Sequence, residues 1–164
     1  MNELKLVGAE PELLTVRSDL LGDLSVRSAD ALMFPAGMLG FPECRRFALV
    51  RAERDGLFWM QSMEYSTLVF LLVDPFAVVT NYSIDVAPSQ LADLGAHRPP
   101  DIGLLSVVTL PGAAGDKPTA NLQGPIAINF ATRTAKQIVL SETDFGVRVP
   151  IDLQQLMSGS EKPS

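Results

Sequence analysis

Apolar residues in this chain recur mostly at every second position, in short runs cut off by Gly, Pro, Asp and Asn. Phe145, Val147, Val149 and Ile151 alternate with Gly146, Arg148 and Pro150, the period of a strand with one buried face and a proline-tolerant edge. Ile126, Ile128 and Phe130 repeat the pattern, and so do Phe47 and Leu49 within Arg46 to Val50. From Leu57 to Met63 both faces are apolar, with Phe58 and Met60 on one side and Leu57, Trp59 and Met63 on the other. A strand of that kind sits in the middle of a sheet with cover on both sides. The run Leu68 to Val73 reads as a buried strand ended by Asp74-Pro75, and Val78 to Ile84 reads as a further strand.

The remaining strand expectations are a hairpin-like pair at Leu13–Val16 and Leu24–Val26, a lead-in at Ala31–Phe34, and runs at Leu104–Leu110 and Gln137–Leu140. Thr132 to Ala135 reads as a connection. The period changes only at Pro88 to Gly95, where Pro sits at a first helical position, Leu91 and Leu94 lie three apart and Gly95 stops the turn. Short strands, one short helix and Gly/Pro turns roughly every ten residues predict an all-β fold, mainly antiparallel, as a sandwich or small β-barrel. The predicted organisation is a flexible lead over residues 1–11, a single β domain over 12–157 and a disordered tail over 158–164.

Phe34-Pro35-Ala36-Gly37-Met38-Leu39-Gly40-Phe41-Pro42 is the stiffest stretch. Two prolines fix φ, and two glycines admit left-handed backbone that a side chain resists. Phe34, Met38, Leu39 and Phe41 are too apolar for a solvated loop, which predicts a turn folded back onto the core. No Lys, Ser or Thr follows the glycines and no helix opens after them, so the pair lacks the surroundings of a phosphate loop.

With 164 residues, 47% of them hydrophobic and 20% charged, the chain suits one folded domain. Its longest apolar run, Leu68 to Val73, is far below the roughly 18 residues of a membrane helix. No basic-then-apolar leader opens the sequence, and the expected location is the cytoplasm. A net charge of −6 opposes a broad phosphate-binding surface and favours a basic partner.

Chemistry is sparse. Cys44 is the only cysteine and His97 the only histidine, which leaves no internal disulfide and no Cys/His metal spacing. The acids are scattered at turns; Glu142 with Asp144, or Asp74 with Asp85, are pairs that only folding could assemble. No nucleophile elbow, phosphate loop or zinc-helix motif is present. No cofactor and no small-molecule substrate is expected. Trp59, Tyr65, Tyr82, Met60 and Met63 are interface-type residues that sit mostly in strand patterns, where a core role is the plainer reading. Asn121 and Asn129 either satisfy backbone at a turn or mark an exposed edge.

In order along the chain stand Phe34-Pro35-x-Gly37-x-x-Gly40-Phe41, Phe58-Trp59-Met60-Gln61-Ser62, Leu72-Val73-Asp74-Pro75-Phe76 and then Tyr82. After the helix ending Leu94-Gly95 come Ser106 to Pro111, Thr119 to Asn129 through Gly124-Pro125, and Lys136 to Leu140. This series resembles the flagellar assembly factor FliW family over residues 12–152. Leu39 stands where the family pattern has a proline, Pro42 moves the usual acid to Glu43, and Phe145 replaces a tyrosine. The resemblance implies a non-enzymatic cytoplasmic protein that binds flagellin and the translational repressor CsrA, with no direct nucleic-acid or membrane contact. It would relieve repression of flagellin translation and couple that translation to flagellin secretion and assembly. Asp74 with Phe76 and Asn121 with Gln123 are the candidate partner-binding residues; Phe34, Gly37, Gly40, Phe41, Pro75 and Pro125 are the structural motif. The rival reading is a small ligand-binding or catalytic β-barrel built on scattered side chains.

Overall fold

The computed structural model describes residues 12–53, 55–112, 116–140 and 143–152. The expected lead over 1–11, the tail over 158–164, the close of the predicted domain over 153–157 and Glu142 of one acid pair lie outside these residues. Among the described residues are eleven strands and two short α-helices, Pro75–Val78 and Pro88–Asp93.

Seven strands close into a barrel. In chain order they are β3 (Leu32–Met33), β4 (Arg46–Arg51), β5 (Leu57–Ser62), β6 (Val69–Val73), β7 (Gly103–Thr109), β9 (Ile126–Asn129) and β10 (Thr134–Gln137). From β3 to β7 each strand is antiparallel to the one before it. The ring shuts where β7 also pairs with β9, Gly103 opposite Ile128 and Leu105 opposite Ile126. β10 then joins β9 antiparallel and meets β3 in a parallel contact, Thr134 opposite Met33. Outside the ring, β8 (Thr119–Ala120) and β11 (Val149–Pro150) extend the far half of β7, and β1 (Leu13–Val16) pairs with β2 (Leu24–Arg27) as a separate hairpin.

Alternation decides what fills the ring, because every second side chain of a barrel strand points inward. Leu32, Phe47, Met60, Leu72, Leu105, Ile126, Ile128 and Ala135 form the buried interior, with Leu49, Phe58, Phe70 and Val107 packed against them. The alternate positions Leu57, Trp59, Leu71, Val73 and Val108 face a second cluster completed by Tyr82, Leu122 and Ile151. That second cluster explains why β5 is apolar on both faces. A third cluster sets Leu94 beside the helix Pro88–Asp93 onto Ala127, Ile138 and Leu140.

The Phe34–Pro42 turn plugs one end. Phe34, Met38 and Cys44 belong to the interior cluster, Phe34 packs edge-on against Phe47 and Phe41 against Phe70. The turn is tied by Gly37 N–H to the Phe34 carbonyl and Phe41 N–H to the Met38 carbonyl. Gly37 and Gly40 both take positive φ, 77° and 86°. Leu39 departs from expectation: it is 57% exposed at the turn's tip, because the glycines on either side reverse the chain there and send it outward.

Three other expectations are corrected. Val78 to Ile84 is not a strand: Asp74 caps and Pro75 opens the helix Pro75–Val78, after which the chain runs irregularly and buries Tyr82. The hairpin partner of β9 is Thr134–Gln137 rather than Gln137–Leu140, since the turn occupies Phe130–Arg133. The alternating run Phe145 to Ile151 contributes only Val149–Pro150 to the sheet, its partner β8 being two residues long.

Candidate functional site at the open end of the barrel

Opposite the plugged end, the ends of β4, β6 and β9 and the starts of β5, β7 and β10 surround an open mouth of about 600 Å³, on this side lined by Leu49, Arg51, Phe58, Asp74, Phe76, Gly103, Leu104, Leu105, Phe130 and Arg133. Leu49, Phe58 and Leu105 come from the barrel interior, so the floor of the mouth is the exposed top of the core. Phe76 and Phe130 stand on the rim at 51% and 46% exposure. Large apolar rings left in water beside a concave apolar floor are the composition of a binding surface.

Local chemistry holds each rim residue. Asp74 Oδ1 accepts the Phe76 N–H at 2.9 Å, a helix N-cap that fixes where Phe76 emerges. The Phe76 ring meets Tyr82 edge-on at 5.5 Å. Phe130 rests on Gly103, where an added Cβ would come within 2.9 Å of the ring. Arg133 closes the β9–β10 hairpin at φ 60°, a left-handed conformation uncommon for a non-glycine residue. Its Nη2 donates to the Asp30 carbonyl at 2.5 Å, its guanidinium lies 5.4 Å from the centre of the Phe130 ring, and its enclosed Nε has no acceptor among the described residues.

Of the four candidates read from the sequence, Asp74 and Phe76 therefore share one site. Asn121 and Gln123 do not join it: Asn121 Oδ1 accepts the N–H groups of Gln123 and Gly124, and Gln123 Nε2 donates to the Leu140 carbonyl. Both side chains are used in holding the turn before Pro125, whose own carbonyl accepts the Ile138 N–H. Asn129 likewise serves a turn, donating to the Leu94 carbonyl and accepting the Ala131 N–H. Phe130 and Arg133 share the β9–β10 turn, but Arg51 at the end of β4 is far from them in sequence and joins them only when the barrel closes.

Cys44 is buried, and burial followed by the charge of Glu43 pushes its thiol above the ordinary range, away from nucleophilic use. His97 is exposed in its loop, with its N–H donating to Asp101 Oδ2; that bond, with the one from Arg98 N–H, holds the Asp101 carboxyl below the usual range. Asp74 and Asp85 line different grooves. Among the described residues no helix is long and apolar enough to cross a membrane.

Fold and site together define a small closed β-barrel protein with a filled interior and an aromatic rim. The sequence model of the FliW protein family matches residues 15–151, and the chain belongs to that family of flagellar assembly factors. The flagellar assembly factor FliW of Pseudothermotoga lettingae is 34% identical over 128 residues, 78% of this chain and 82% of the relative. That of Natranaerobius thermophilus is 32% identical over 139 residues, 84% and 92% of the two chains. A crystal structure of the flagellar assembly factor FliW superposes with a TM-score of 0.77 at 30% identity, over 84% of this chain and 96% of that one.

Proposed function

We propose that this chain is a cytoplasmic, non-catalytic regulator that binds flagellin and CsrA, freeing flagellin translation from CsrA while flagellin is being secreted and assembled. The observation that carries the reading is membership of the FliW family across residues 15–151. Two physical features support it. A net charge of −6 attracts a repressor whose own surface must be basic to hold RNA phosphates, and it repels the RNA within about one Debye length, roughly 8 Å at physiological salt. An exposed Phe76, oriented by the Asp74 cap, supplies an aromatic anchor of the kind that carries binding energy.

The rival ligand-binding or catalytic barrel has less to stand on, because large side chains fill the interior. Calorimetric titration of the protein with the host's CsrA and flagellin, singly and in competition, tests the reading. Binding to each, with one displacing the other, is expected; binding to neither ends it.

A further inference from the structure

We infer that the open mouth of the barrel is a docking site for an acidic, apolar segment of a partner protein. An apolar side chain enters between Phe76 and Phe130 onto Leu49, Phe58 and Leu105, and a neighbouring Asp or Glu of the partner meets the guanidinium groups of Arg133 and Arg51.

Charge is the first ground. The mouth is lined by two arginines and one aspartate, whereas the groove beside Ile138 carries only Asp85 and the groove over Trp59, which shares Arg51 with the mouth, is also lined by Glu53. In a chain of net charge −6, a concave surface of positive sign selects against the basic partners that the rest of the molecule attracts, and for a carboxylate. Two carboxylates reduce that field, Asp74, one of whose oxygens is already bonded to the Phe76 N–H, and Asp30 beside Arg133, which is already paired with Arg27.

Preorganisation is the second. Arg133 is held before any partner arrives, by the bond to Asp30, by the Phe130 ring and by a left-handed hairpin position. A guanidinium fixed this way loses little freedom on binding. It is also short of acceptors: the bond to Asp30 is its single recorded hydrogen bond among the described residues, and Nε is enclosed with none. With Nε enclosed, a partner carboxylate meets the guanidinium through its terminal nitrogens. The third ground is the continuous apolar floor, which gives the segment's neighbouring side chain a desolvated seat.

The inference goes beyond the CsrA and flagellin reading and does not depend on it. The test is an NMR titration of the whole chain with the blocked peptide acetyl-Leu-Phe-Glu-Leu-amide and its Gln and Lys counterparts, at low and high salt. The Glu peptide is expected to bind about tenfold tighter than the Lys peptide at low salt. It should shift the Gly103 and Phe130 amides and the Arg133 Nε–H signal, and lose its preference in Arg51→Gln and Arg133→Gln. Arg133→Lys, which keeps the charge, should retain part of that preference and so separates charge from folding. Equal binding of the three peptides, shifts mapping elsewhere, or no saturable shift would overturn the site. A short oligouridylate that shifts the same signals more strongly than the Glu peptide would overturn it in favour of nucleic acid. Because no arm uses CsrA or flagellin, these failures are distinct from failure of the functional reading.

Discussion

The Tyr82 hydroxyl donates to the Leu122 carbonyl at 2.9 Å, a bond across 40 residues that ties the irregular segment after Pro75–Val78 to the turn before Pro125. Tyr82 is 3% exposed, and burial pushes its hydroxyl up to about 12. The neutral phenol is thus favoured in the folded state. Stability from this group is fully present below about pH 10, the ordinary tyrosine value, and is lost as pH rises toward 12. Tyr82→Phe should therefore lower stability by about 1–2 kcal/mol at neutral pH through the orphaned carbonyl. It should also flatten the fall in melting temperature between about pH 10 and 12, the range set by those two values. An unchanged slope in the variant would show that other groups carry the alkaline loss.

Asn129 is buried at the end of β9 and bonds in two directions, to the Leu94 carbonyl at 2.9 Å and from the Ala131 N–H at 3.0 Å. Asn129→Ala strands a buried carbonyl and should cost about 1–3 kcal/mol. Asn129→Asp should cost more near neutral pH, since a carboxylate cannot donate to Leu94 and meets its oxygen instead. Urea midpoints at one pH rank the two; an Asp variant as stable as wild type would mean that the Leu94 contact is dispensable.

The strands of the barrel were largely legible because their patterns are local. β5 reads as central from Leu57 to Met63, and outside the barrel the hairpin of Leu13–Val16 with Leu24–Val26 reads from its Gly22-Asp23 turn. Failures came where a local device overrode periodicity. Val78 to Ile84 has strand composition, but an Asp74 cap and Pro75 start a helix there. The Thr134–Gln137 strand is polar, with Lys136 reaching Asp93 at 2.6 Å, so the apolar Ile138 to Leu140 looked like the better strand. The mouth was half legible. Asp74 and Phe76 stand in one motif and Phe130 and Arg133 in one turn, whereas Arg51 and the Asp74 motif reach that turn only through closure of the barrel, which no local spacing encodes.

Association with CsrA should be electrostatically accelerated if the acidic body steers a basic partner. Stopped-flow association rates are expected to fall several-fold from low to high salt, with dissociation changing less. A flat association rate would remove steering from the account and leave contact chemistry alone to explain binding.

Gly37 and Gly40 look equivalent in sequence and differ in space. Both take positive φ, but a Cβ on Gly37 would lie 2.3 Å from the Pro42 carbonyl oxygen and 2.6 Å from its Cα, while a Cβ on Gly40 would meet nothing within 4 Å. Gly40→Ala therefore costs only the left-handed penalty, about 1–2 kcal/mol. Gly37→Ala adds a collision with backbone that cannot swing aside, in a turn whose Phe34 and Met38 plug the interior; a loss of about 3 kcal/mol or more is expected. Denaturant midpoints for the two alanine variants decide it. Equal losses would mean that the turn shifts freely as a unit and does not hold that end of the barrel shut.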